Sequence, residues 1–114
     1  MRFRSQSRRK QARQETADRA AAKLIYQFMT DQRTRYLTYR LSFFERCQFN
    51  SLGDDGMDMA RIELRTQRFE ERVARALRAE GIHFESSLDI DIQPRLLNPS
   101  TPRLRSCVLT VQRA

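Results

Sequence analysis

The chain has 114 residues, of which 39% are hydrophobic and 32% charged, and it carries a net charge of +8 with a pI near 10.7. That length builds one domain with a modest core and excludes two independent ones. The charge comes almost wholly from arginine, since Lys10 and Lys23 are the only lysines, and no run of about 18 apolar residues exists to span a membrane as a helix. The sequence therefore predicts a soluble protein whose partners are acidic, with part of its contacts made outside the chain because its apolar share is low.

Residues 1–14 hold Arg2, Arg4, Arg8, Arg9, Lys10 and Arg13 with no acid, and only Met1, Phe3 and Ala12 are apolar. Too little apolar surface is present to bury, so the expectation is a basic extended arm, disordered on its own. An organelle targeting signal is the alternative for an Arg- and Ser-rich, acid-free segment. Residues 15–114 are expected to form the single small domain.

From 15 to 49 the sequence predicts one long helix starting near Thr16 or Asp18. Ala21, Ala22, Ile25, Phe28, Met29, Tyr36, Tyr39, Phe43 and Cys47 fall on one helical face. Tyr26, Leu37 and Phe44 form a second stripe about a quarter-turn away. The polar stretch 30–35 (TDQRTR) reads as a solvated mid-helix turn, the alternatives being a break or a place where Arg33 and Arg35 meet a ligand. Residues 50–56 (NSLGDDG) are the clearest turn, and Asp55 or Asp58 is expected to cap the next helix. The acids there lack the alternating oxygen ligands of a calcium loop.

A second helix is expected over 58–80, burying Met59, Ile62, Phe69, Val73, Ala76 and Leu77 and stopping at Gly81. Along it Arg61, Arg65, Arg68, Arg72 and Arg75 recur at intervals of four, three, four and three residues. Such spacing lines them up over roughly 21 Å at about 1.5 Å per residue. Glu63 and Glu70 point more than a quarter-turn away and Glu71 flanks the row, so charge is segregated rather than neutralised. Arginine is always ionised and grips phosphate or carboxylate with a planar fork of donors, which suits an extended polyanion.

After Gly81 the period changes to alternation. Residues 82–93 and 104–113 read as two strands, with Cys107, Leu109 and Val111 sharing a face of the second. The connection 94–103 contains all three prolines together with Arg95 and Arg103, and Arg105 follows it. The expected fold is therefore α+β: a long antiparallel α-hairpin followed by a two-stranded β-ribbon, with the ribbon open to strand addition by a partner.

Catalytic chemistry has little support. His83 is the only histidine and lies on the polar face of its strand; Cys47 and Cys107 stand sixty residues apart without a CxxC or a Cys/His cluster. They read as reduced packing residues of an intracellular compartment, cytoplasmic or mitochondrial matrix. No glycine-rich phosphate loop, cofactor motif or metal-ligand spacing is present. The arginine row, the basic arm and the Arg95, Arg103 and Arg105 tail are the expected nucleic-acid-binding residues. Composition and layout are similar to those of ribosomal proteins, although no aromatic RNP motif, KH loop or zinc finger is visible. The expected function is non-enzymatic: an RNA-favouring structural component of a ribonucleoprotein such as a ribosome or mitoribosome, beside neighbouring proteins. A protein-only adaptor or structural subunit of an organellar or viral complex, pairing its arginines with acidic partners, is the alternative.

Overall fold

The computed structural model describes the backbone of residues 2–50, 59–94 and 102–114, and the side chains of 8–50, 59–93 and 102–114. Its elements are α1 (Arg2–Thr30), β1 (Tyr36–Arg40), α2 (Phe43–Cys47), α3 (Met59–Ala79), β2 (Phe84–Pro94) and β3 (Pro102–Arg113). The α+β class holds, but the sheet has three strands in the order β1-β3-β2, both neighbours antiparallel to β3.

The single helix expected over 15–49 is the largest correction. α1 stops at Thr30, where Asp31 builds a turn: its Oδ1 accepts the Arg33 N–H at 2.9 Å and its carbonyl accepts the Thr34 N–H at 3.1 Å. A short Asp side chain competes in this way with helical hydrogen bonding. The aromatic and β-branched run Tyr36–Arg40 then pairs with β3, Leu37 opposite Val111 and Tyr39 opposite Leu109. α2 begins at a capping box that the sequence displays as Ser42-x-x-Glu45: the Glu45 N–H donates to Ser42 Oγ at 3.2 Å, and the Ser42 N–H to Glu45 Oε1 at 2.8 Å.

The basic arm is corrected as well, because residues 2–14 continue α1 as helix. They contain no glycine, proline or β-branched residue. Extending an existing helix avoids the cost of nucleation. α3 and the two long strands lie close to their expected bounds. Residues 51–58, on which most of the expected turn 50–56 and its capping Asp55 or Asp58 fall, and residues 95–101 with Arg95 lie outside the described residues.

Because β1 and β2 both run antiparallel to β3, they are parallel to each other. Each follows its helix after a tight reversal, so α1 and α3 also run parallel, in place of the antiparallel hairpin. The reversals have specific chemistry. Gly81, at φ +78, ends α3 with the Ile82 N–H donating back to the Leu77 carbonyl at 3.2 Å. Arg113, from β3, closes α1 by donating to the Phe28 and Gln32 carbonyls at 2.6 and 2.9 Å, its guanidinium 4.7 Å from the Phe28 ring.

Both helices cover one face of the sheet. Ala17, Ala20, Ala21, Leu24 and Phe28 of α1 and Ile62, Phe69, Val73 and Leu77 of α3 are buried with Leu104, Cys107, Leu109 and Val111 of β3. Several residues expected in the core are instead exposed: Met29, Tyr36, Phe43 and Met59 are between 47% and 61% accessible, and Ala22 is exposed. Phe44, placed on the second stripe, is 79% accessible and Tyr26 71%. Tyr36, Phe43 and Phe44 lost their places when the long helix broke, since helical phase does not carry through a turn and a strand.

Candidate functional site

The parallel arrangement brings the middle of α1 alongside α3. A cleft of about 160 Å³ opens between them, lined by Lys10, Arg13 and Gln14 on one side and Arg65, Arg68 and Arg75 on the other. Arg72 also lines it, with Glu71 the single acid of the lining among the described residues. The arginine spacing on α3 is the helical repeat visible in the sequence. The α1 contribution depends on residues 2–14 being helical, since only then does Arg13 face α3.

The guanidiniums are not equivalent. Arg13 Nη1 donates to the Gln48 carbonyl at 3.0 Å and Arg65 Nη1 to the Phe49 carbonyl at 3.1 Å, so both hold the chain just beyond α2. Burial, with repulsion from Arg65, Arg68 and Arg9, lowers the Arg13 pKa to about 10. Arg65 is shifted in the same direction by burial and by Arg9 and Arg61. Like charges are thus crowded where their own solvation is reduced, and an anion in the cleft relieves that cost.

Arg72 is engaged differently. Its Nε and Nη2 grip the Asp18 carboxylate at 2.8 and 3.2 Å, an α1–α3 clasp of bidentate form. That hydrogen-bonded contact holds the Asp18 carboxyl below its usual range. With the folded pKa depressed, the stabilisation is present above the ordinary carboxylate pKa and is lost as pH falls through the lower folded value. Both side chains are about half exposed, so the pair is worth less than about 1 kcal/mol. Asp18→Asn should therefore fold normally and release Arg72 to the cleft. Polyanion affinity is expected to rise, with the salt slope steepened by about 0.7 to 0.9 for one added phosphate contact, as titration at several salt concentrations would read.

Arg68 and Arg75 are exposed residues of the lining, and the Glu71 to Arg75 pair that their spacing permits is absent from the ion pairs of the described residues. Arg8 is exposed and Arg9 half-buried on α1, and Arg61 is exposed on α3. Arg2 and Arg4 lie on the first turn of α1, their side chains outside the described residues. Glu63 and Glu70 face away, lining a groove against Ser86, Leu88 and Ile90 of β2, with Glu70 Oε2 accepting the Ser86 hydroxyl at 2.9 Å. Arg103 and Arg105 are exposed on either side of buried Leu104, on the face of the sheet away from α1 and α3, where Arg105 donates to Gln93 at 2.8 Å. Strand alternation thus separates them from the cleft by the thickness of the fold.

Two features of this region are not evident from charge spacing: the positioning roles of Arg13 and Arg65, and the exposed phenylalanines of α2. The capping box at Ser42 was the local signal for the latter. Cys47 and Cys107 are free thiols, and burial pushes that of Cys107 up to about 12. Among the described residues, no helix is long and apolar enough to cross a membrane. Comparison with protein-family models, with curated proteins and with solved structures finds no match.

Proposed function

We propose that this chain is a non-enzymatic nucleic-acid-binding component of a large ribonucleoprotein assembly, with RNA favoured. The observation that carries the reading is the convergence of Arg13, Arg65 and Arg68 from two parallel helices on one cleft, with Glu71 the only lining carboxylate among the described residues. A protein gains nothing in stability from crowding cations in this way, whereas phosphate oxygens satisfy several guanidiniums at once. Parallel packing adds to the effect. The positive ends of both helix dipoles lie toward the end of the molecule that carries Arg8, Arg9 and Arg61.

Neighbouring proteins have a separate surface in β2. It is an eleven-residue strand at the sheet edge whose Glu85, Asp89 and Asp91 are exposed, and the backbone groups of that edge, which pair with no other strand among the described residues, suit strand addition. In the alternative reading, a protein-only adaptor, the cleft arginines meet carboxylates of a partner instead of phosphates.

Salt dependence tests the proposal. If about six counterions are displaced, log affinity for a single-stranded RNA should fall against log salt with a slope of about −4 to −5, at roughly −0.7 to −0.9 per phosphate contacted. Anisotropy titrations between low and physiological salt measure it. A flat response, or no binding at low salt, sinks the nucleic-acid reading and leaves the adaptor.

A further inference from the structure

We infer that Phe44, bracketed by Phe43 and Arg46 on α2, is a stacking platform for an unpaired nucleobase, which makes single-stranded nucleic acid the ligand of the adjoining cleft. The inference rests on the nucleic-acid reading above and deepens it. Its starting point is exposure without neighbours. Phe44 is 79% accessible and Phe43 54%, on a five-residue helix none of whose residues is buried. The two rings meet edge-on, centroids 5.8 Å apart at 75°, and the Arg46 guanidinium lies 5.9 Å from the Phe43 ring. Phe43 thereby meets both Phe44 and Arg46, while Phe44 is the more exposed of the two rings.

The platform is tied to the cleft covalently and by hydrogen bonds. Arg13 and Arg65 hold the carbonyls of Gln48 and Phe49, only four and five residues beyond Phe44. At about 1.5 Å per helical residue the α carbons of Phe44 and Phe49 are within about 8 Å. A strand whose phosphates sit among the cleft cations can therefore reach Phe44 with a base one or two nucleotides along. A duplex cannot, because its bases are stacked and paired inside.

The surroundings favour a base over a protein partner. Ser42, Glu45 and Arg46 adjoin the two rings on the same short helix, and Arg19, which pairs with Glu45 at 3.5 Å, brings a further cation. Two phenylalanines amid polar groups fall far short of the roughly 800 Å² per partner of a specific protein interface. They suffice for stacking, in which each base is worth about 1–3 kcal/mol whatever its identity and cations hold the backbone.

The test uses the full chain and three labelled probes of equal length: an oligoadenylate 10-mer, an abasic 10-mer with the same phosphates, and an RNA duplex. Wild-type protein should bind oligoadenylate roughly 5- to 150-fold more tightly than the abasic strand. Phe44→Ala and Phe44→Leu should both lose most of that advantage while leaving abasic and duplex affinities unchanged. Phe44→Trp should retain it, and circular dichroism melting should be unaltered for all three. Equal wild-type binding of the base-bearing and abasic strands, or undiminished oligoadenylate binding by Phe44→Ala, overturns the stacking platform while the cleft reading stands. Full activity of Phe44→Leu overturns it too, since apolar area without a π face would then be enough. Failure of the wild-type chain to bind any of the three probes removes the cleft reading and the platform with it.

Discussion

Replacing Arg68 and Arg75 together by glutamine is expected to weaken polyanion binding about a hundredfold or more, with the melting temperature unchanged. Charge-assisted hydrogen bonds contribute about 1.5–3 kcal/mol each, so two lost contacts amount to two decades or more. The slope of log affinity against log salt should become shallower by about 1.4 to 1.8. Stability is spared because both side chains are exposed and glutamine is as good a helix former as arginine. The contrast is Arg65→Gln, which abandons the Phe49 carbonyl, and Arg72→Gln, which breaks the Asp18 clasp. Arg65→Gln should lower stability as well as affinity, whereas Arg72→Gln removes a pair worth less than about 1 kcal/mol and should leave the melting temperature nearly unchanged. A triple variant of Arg65, Arg68 and Arg72 therefore mixes two effects, whereas the Arg68 and Arg75 pair isolates one. Retained affinity in the pair would show that the cleft lining does not hold the anion.

Phe49→Ala should be the most damaging single change for the junction behind the cleft, costing about 3–5 kcal/mol. Phe49 is fully buried, its ring perpendicular to that of Phe69 with centroids 6.0 Å apart. Its carbonyl receives Arg65, and the next residue, Asn50, accepts the Leu104 N–H through Oδ1 at 2.6 Å. Truncation leaves a cavity at the point where α1, α3 and β3 are all tied to the chain after α2. At about 4 °C per kcal/mol for a domain of this size, the melting temperature should fall by about 12–20 °C. Nucleic-acid affinity should fall with it at temperatures where the fold survives, because Arg13 and Arg65 lose their fixed acceptors. A melting temperature within a few degrees of wild type would show that the junction repacks and that Phe49 does not organise the cleft.

The sequence by itself determined the features that depend on local periodicity. The arginine row of α3, its buried stripe Ile62, Phe69, Val73 and Leu77, the stop at Gly81 and the two long strands all follow from spacing and turn chemistry within about twenty residues. The phase of a helix or strand is set by its own backbone, so the row's alignment needs no partner. What lay beyond that range was decided by tertiary structure. Residues 31–49 have helix-compatible spacing, yet pairing of Tyr36–Arg40 with β3, more than sixty residues away, outweighed local preference and moved Phe43 from the expected core face, and Phe44 from the second stripe, to the surface. Residues 2–14 hold only Phe3 and Ala12 as apolar groups, and only as the continuation of α1, laid parallel to α3, do they bring Lys10 and Arg13 to the cleft. The direction of that packing comes from the strand order β1-β3-β2, a long-range property to which hydrogen bonds between distant segments contribute and residue spacing does not.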